Sequence, residues 1–204
     1  NGYEVIVPEK QMCCGALHAH AGEANHANSL AFQNMKSLQG DAPVVVNAAG
    51  CGSTMKDYCH LLPESQESEG FSRRVTDIHE FLAKADFRLP SNEFPEKVAY
   101  QDACHLAHGQ SIRRSPRELL RSVPGLELVD LPRSDWCCGS AGIYNLTQPE
   151  AANQFLEKKI DAIASTGATV LAVGNPGCAL QIEMGLRQRG LSIRVMHPVE
   201  ILAD

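Results

Sequence analysis

Short β-branched runs alternate with longer stretches whose apolar residues recur three or four positions apart, from one end of the chain to the other. "YEVIVP" (3–8) predicts a strand. Residues 21–40 carry Ala27, Leu30, Ala31, Met35 and Leu38 at helical spacing and stop on Gly40. "APVVVNAAGC" predicts an apolar strand that breaks at Asn47 and delivers Cys51 just before a helix in "STMKDYCHLLPE"; "RRVTDIHEFLAKA" closes the first half. The second half repeats the order. "KVAYQDACH" predicts a strand ending at Cys104, and "SPRELLRSV" a helix with Ser115 as N-cap, Pro116 at N1 and Glu118 at N3. "LELVDLP" is the next strand, residues 148–167 a helix ending on Gly167, and "ATVLAVGNPGC" a buried strand ending near Cys178. "ALQIEMGLRQRG" is helical, and "IRVMHPVEILAD" finishes the chain.

The repetition extends to the letters. "CCG" occurs at Cys13–Gly15 and again at Cys137–Gly139; 36 residues separate Cys14 from Cys51, and 39 separate Cys138 from Cys178. "VVVNAAGC" answers "VLAVGNPGC", and the halves close on "EFLA" and "EILA". Strands alternating with helices point to parallel βαβ units. The expected fold is α/β: two pseudo-repeated βαβ lobes with parallel sheets, spanning 1–95 and 96–204 and meeting near "LPSNEFPEK". One continuous sheet is the alternative.

That topology gathers the cysteines. Ligands of open α/β sheets bind beyond the carboxyl ends of the strands. Cys104, the Cys137–Cys138 pair and Cys178 each follow a predicted strand, so parallel strands carry four sulfurs to one rim. Cys51 and Cys178 also precede helices, whose N-terminal partial positive charge favours the metal-binding thiolate. The neighbouring glycines are expected to let backbone approach a bulky inorganic group.

Composition narrows the function. The 204 residues are 44% hydrophobic and 21% charged, a globular balance, and the formal charge of -6 without a basic stripe argues against nucleic acid or an anionic membrane as partner. No apolar run approaches the roughly 18 residues of a membrane span, and the start lacks the plan of a signal peptide. The expected location is the cytoplasm, with any contact to the inner membrane made through partner subunits. A chain that begins with Asn and runs straight into a strand reads as a piece of a longer one. Disulfide frameworks belong mainly to small secreted domains, so the eight cysteines read better as reduced thiols and metal ligands.

Zinc held by four cysteines is one candidate, yet zinc knuckles space their ligands as C-x(2–4)-C. Adjacent cysteines diverge in extended backbone and share one small ion poorly. An iron–sulfur cluster spreads its irons, so each member of a CC doublet can take a different one. A thiol–disulfide enzyme using the vicinal pairs is a third reading, although the usual C-x-x-C spacing is missing.

The second-half pattern C-x(32)-CCG-x(38)-C and the first-half CCG-x(35)-C resemble the cysteine-rich CCG domain. That domain occurs twice in heterodisulfide reductase and in the iron–sulfur subunits of glycolate oxidase and lactate-utilisation complexes. "CCGALHAHAGE", "DACHLAHGQ" and "DWCCGSAGIYNLTQPE" look most like the glycolate oxidase type. The resemblance implies a cluster, [4Fe-4S] in type, on Cys104, Cys137, Cys138 and Cys178, with Cys13, Cys14 and Cys51 forming a second site one ligand short. It implies a flavin-containing oxidase subunit as electron donor, a quinone pool as destination, and a ferredoxin-like segment upstream of Asn1. Thr54 and Gln181 stand where heterodisulfide reductase has a further cysteine, which weighs against its noncubane cluster.

Of the remaining residues, His18, His20, His105 and His108 lie near cysteines and read as hydrogen-bonding partners, His105 being the best ligand candidate among them. His79 and His197 read as structural, and Cys59 as a packed side chain. Trp136 is either a cover over the site or a core residue. Arg113, Arg114, Arg117 and Arg121 read as a solvated face, with docking to an acidic partner as the sharper alternative.

Overall fold

A computed structural model describes residues 2–203. The fold is α/β with every strand pairing parallel. In the first half, helices α1 (Ala16–His20) and α2 (Ala24–Ser37) precede strand β1 (Val44–Val46). Helices α3 (Ala49–Lys56), α4 (Tyr58–Leu61) and α5 (Gln66–Arg74) follow, then β2 (Val75–Asp77) and α6 (Ile78–Lys84). β1 and β2 form a two-stranded sheet in register Val44 with Val75. Ala31, Met35, Tyr58 and Phe71 pack on Val44 and Val75 to make its core.

The second sheet has four strands in the order β4-β3-β5-β6. They are β3 (Lys97–Gln101), β4 (Glu127–Val129), β5 (Val170–Val173) and β6 (Arg194–Met196). A π-helical turn (His105–Gly109) and α7 (Ser115–Arg121) separate β3 from β4, and α8 (Tyr144–Thr147) with α9 (Pro149–Ser165) lead to β5. Helix α10 (Pro176–Gln188) joins β5 to β6, and α11 (Pro198–Ala203) follows. Central strand β5 is buried at every position because both faces are covered. Val98, Tyr100, Val170 and Ala172 meet Leu120 and Ile201 on one face. Ala99, Leu171 and Val173 meet Leu156, Ile160 and Ile182 on the other. Each fully buried Leu or Ile contributes about 1.5–3 kcal/mol, so the central pair anchors the rim beyond it.

Several expectations need correction. Residues 3–8 form no strand. β4, which precedes the second CCG, finds its one partner in β3, whereas β1 has β2 as its single neighbour. Without a strand to receive it, the first segment gains no ladder, and Val5 is left 81% exposed. "RRVTDIHEFLAKA", which closes the first half, comprises the end of α5, β2 and α6. Helix α3 starts two residues before Cys51 and breaks at Asp57. α10 likewise starts at Pro176, so Cys51 and Cys178 are third residues of helices and do not precede them. Ser115 is helical, with Arg114 in the cap position.

The two sheets meet through backbone. Ala49 N–H donates to Gly174 O at 3.0 Å, and Gly50 N–H to Asn175 Oδ1 at 3.0 Å. These bonds satisfy two of the otherwise unpaired donors at the start of α3, which is why that helix begins so early. Gln110 Nε2 donates to Ala49 O, and His197 Nε2 to Asn47 O at 2.8 Å. Among the described residues, no helix is long and apolar enough to cross a membrane.

Candidate metal centre

Because the four-stranded sheet is parallel, the chain leaves β3, β4 and β5 at the same edge. Cys104, Cys137–Cys138 and Cys178 all lie just past that edge, and all eight cysteines are free of disulfides. Cys138 and Cys178 are buried, while Cys104 and Cys137 are partly exposed.

Their thiols interlock. The hydrogen bond with Cys138 lowers Cys137 to about 6, against the opposing effect of burial and with help from the Gly139 and Ala141 amides. Gly139 N–H donates to Cys137 Sγ at 3.3 Å. Cys138 is driven upward by its hydrogen bonds with Cys137 and Cys178 and by burial. Cys178 is lowered, first by Cys138, and Asn175 Nδ2 donates to its sulfur at 3.4 Å. Burial raises Cys104, and the charges of Cys178 and Cys137 raise it further. Cys137, Cys138 and Cys178 thus act on one another, and Cys178 and Cys137 act on Cys104. Among the described residues, no three His, Cys, Asp or Glu side chains group as ligands of one metal ion.

The first-half set is smaller. Cys14 is buried and raised, chiefly by its hydrogen bond with Cys51; Cys51 is lowered to about 7 by the same bond. Cys13 is exposed. Cys59 stays apart, its thiol turned back toward Lys56 O at 3.9 Å.

The CCG glycines have a packing role. Gly15 and Gly139 have φ of 83° and 93°. A Cβ on Gly15 would sit 3.1 Å from Ala27 O in α2, and one on Gly139 would strike Ala152 O in α9. Each glycine lets its cysteine loop lie against the backbone of a helix further along the chain, α2 for Gly15 and α9 for Gly139.

Three holding interactions are not among the expectations drawn from the sequence. Lys159, on α9, is 2% exposed and donates to Arg133 O at 2.8 Å and Ser134 O at 3.4 Å. Burial lowers it to about 8, while Cys138, Asp135 and Cys137 push back. Asn34, on α2, plays a matching part: its Nδ2 donates to Cys13 O at 3.0 Å and its Oδ1 accepts from Met12 N–H at 2.8 Å. Arg117 is not on a solvated face. It clamps buried Asp102 with bonds of 2.7 and 2.6 Å, and Ser134 Oγ donates to the same carboxylate at 2.6 Å. Burial alone would raise Asp102; the Arg117 and Ser134 hydrogen bonds outweigh it and hold the carboxyl below its ordinary range. The clamp joins the loop before Cys104 to the loop before Cys137.

Among the histidines, His105 Nδ1 lies 3.7 Å from Cys104 Sγ, and its ring stacks on His20 at 5.6 Å. Burial and then His20 lower it. His18 faces His26 at 5.7 Å, and His108 meets Arg113 at the surface. His79 and His197 stack at 5.4 Å away from the cysteines, with Asp77 Oδ1 2.6 Å from His79 Nδ1. Trp136 is 46% exposed, so it is no core residue, and the Arg133 guanidinium lies over its ring at 4.2 Å.

The family described as "Cysteine-rich domain" matches residues 1–56 and 98–183, segments that hold all seven of the clustered cysteines. The chain belongs to that family. Among curated relatives, it is 39% identical over its whole length to "Probable glycolate oxidase iron-sulfur subunit" of Bacillus subtilis (strain 168), spanning 48% of that protein. It is 34% identical, over 99% of its length, to a subunit of the fumarate reductase (CoM/CoB) of Methanothermobacter marburgensis, spanning 40% of that protein. Identity is 29% to "Lactate utilization protein A" of an Exiguobacterium species, over the whole chain and 86% of the relative. The chain therefore spans about half, or less, of the first two relatives it matches.

Proposed function

We propose that this cysteine-rich domain holds an iron–sulfur cluster on Cys104, Cys137, Cys138 and Cys178 and relays electrons as part of a 2-hydroxy-acid oxidase complex. The observation that carries this reading is the placement of four free thiols, on three separate loops, beyond one edge of the parallel sheet. The donor set is all sulfur, half of it buried, with Gly139 N–H and Asn175 Nδ2 donating to it. That environment suits thiolates bridged by a multi-iron core. A four-sulfur site agrees with a [4Fe-4S] type.

A cluster, when bound, takes up and releases single electrons. The chain's own residues do the rest. Lys159 places a buried cation behind the sulfurs, the Asp102–Arg117 clamp fixes the spacing of two loops, and the burial of Cys138 and Cys178 keeps water away. Relatives named as glycolate oxidase and lactate-utilisation proteins support a hydroxy acid as ultimate electron source; a flavin subunit as donor and quinone as acceptor are what the resemblance to the glycolate oxidase type implies. Cys13, Cys14 and Cys51 form a second, incomplete site in a first repeat (1–95), and the second repeat (96–204) carries the complete one.

Anaerobic reconstitution with iron and sulfide tests this. Broad visible absorption that dithionite bleaches, and that Cys138→Ser abolishes, is expected; a colourless protein with stoichiometric zinc contradicts it. A second reading draws on Cys137, whose lowered thiol beside Cys138 suits attack on a disulfide. Turnover of a small disulfide by the metal-free protein, with an added thiol reductant returning Cys137 and Cys138 to the thiol form, would favour that reading.

A further inference from the structure

Trp136 immediately precedes Cys137, yet its ring faces solvent. With Phe155, also 46% exposed, it lines a groove of about 400 Å³ whose floor includes Cys137. The groove continues across Arg133 into a cleft of about 610 Å³ walled by Arg113, Arg114, Arg117 and Arg121. Arg133 lines both. Cations thus collect here on a chain whose formal charge is -6.

The carboxylates of this face are already engaged. Asp102 is held by Arg117, Asp135 lies 3.4 Å from Arg113, Glu118 is 2.8 Å from Arg114, and Asp161 is 3.0 Å from Arg189. Among the described residues, no carboxylate pairs with Arg121, Arg133 or Lys158. Arg133 and Lys158 line the groove with the two exposed aromatic rings, and Arg121 lines the adjoining cleft.

We propose that this face docks the acidic surface of a redox partner protein, seating it over Cys137. Exposed Trp with flanking Arg is the composition of binding hot spots. A local positive patch on an acidic protein steers and orients a complementary surface. Groove and cleft together form a long, open face, a shape for a protein surface and not for one small ligand. The redox character of the partner rests on the cluster reading above; the docking rests on charge and exposed aromatic area alone.

Trp136 is the one tryptophan of the chain, so its emission reports on the groove directly. Titration of the thiol form with an oligoglutamate peptide should give a saturable change in that emission, weakened about tenfold by raising salt from low to physiological. Calorimetry on the iron-reconstituted protein should give the same affinity. Arg133→Glu with Lys158→Glu should lower affinity at least tenfold while iron loading stays unchanged. Lys158→Glu with Arg121→Glu serves where the Arg133 change lowers folded yield. Equal binding of oligolysine, unchanged binding after charge reversal, displacement by millimolar inorganic phosphate, or tighter binding to anionic lipid vesicles would each overturn the proposal. Failure of the protein to take up iron, with peptide binding intact, would sink the cluster reading and leave the docking face standing.

Discussion

Lys159 reaches from the apolar face of α9 to the Arg133 carbonyl, 2.8 Å away, while almost wholly shut off from water. Arg133 adopts φ 54°, a conformation that non-glycine residues seldom take. The lysine therefore holds a strained turn in place three residues before Trp136 and brings a positive charge toward the sulfurs. Lys159→Met keeps the apolar bulk but removes one donor from each of two carbonyls that still accept from Trp136 N–H and Asp102 N–H, at a cost of about 0.5–1.5 kcal/mol. In the reconstituted protein, a redox titration should place the cluster at a more negative potential, because the charge that favours the reduced form is gone.

The Asp102–Arg117 clamp predicts a strong asymmetry between variants. Arg117→Ala leaves a buried carboxylate uncompensated and should cost about 3–5 kcal/mol in denaturant unfolding. Adding Asp102→Asn to that variant should recover part of the loss, since a neutral amide tolerates the site better than a lone charge.

Gly139→Ala should destabilise more than Gly190→Ala, although both glycines have positive φ. At Gly190 nothing lies near the new methyl group, so the cost is conformational alone, about 1–2 kcal/mol. At Gly139 the methyl group meets Ala152 backbone, and overpacking adds roughly 1–3 kcal/mol. Thermal melts of the two variants give the comparison.

His197 makes stability depend on pH. Its Nδ1 accepts from Val199 N–H and its Nε2 donates to Asn47 O, a pairing that suits the neutral ring. Burial, with the neighbouring His79, lowers its pKa in the folded state, against the weaker pull of Asp77 and Glu200. The folded pKa lies below the unfolded value of about 6.5, so the unfolded chain binds the extra proton. Stability is full above that value and falls as pH drops below it. Melting temperature should decline from pH 7 to pH 5, and His197→Gln should flatten the decline.

The alternating pattern of β-branched runs and helical spacing was enough to read the parallel α/β class, because β5 is buried on both faces and so is apolar throughout, and β3 carries buried Val98, Ala99 and Tyr100 beside it. It misread residues 3–8, whose letters are those of a strand but whose pairing depends on a neighbour that local pattern does not report. The cysteine positions were legible because parallel strands send every following loop to one edge. The residues that hold those loops were not. Asn34, Asp102 and Arg117 act across distances of 15 to 22 residues and leave no periodic trace. Lys159 did leave one: it shares the buried stripe of α9 with Leu156, Ile160 and Ile163, where a cation is out of place unless it has work to do.

Anomalous diffraction at the iron edge, from crystals of the anaerobically reconstituted protein, tests the four-sulfur centre most directly. The predicted result is iron density enclosed by Cys104, Cys137, Cys138 and Cys178. A single peak at the zinc edge, or iron density that leaves Cys104 or Cys178 without a metal neighbour, would contradict it.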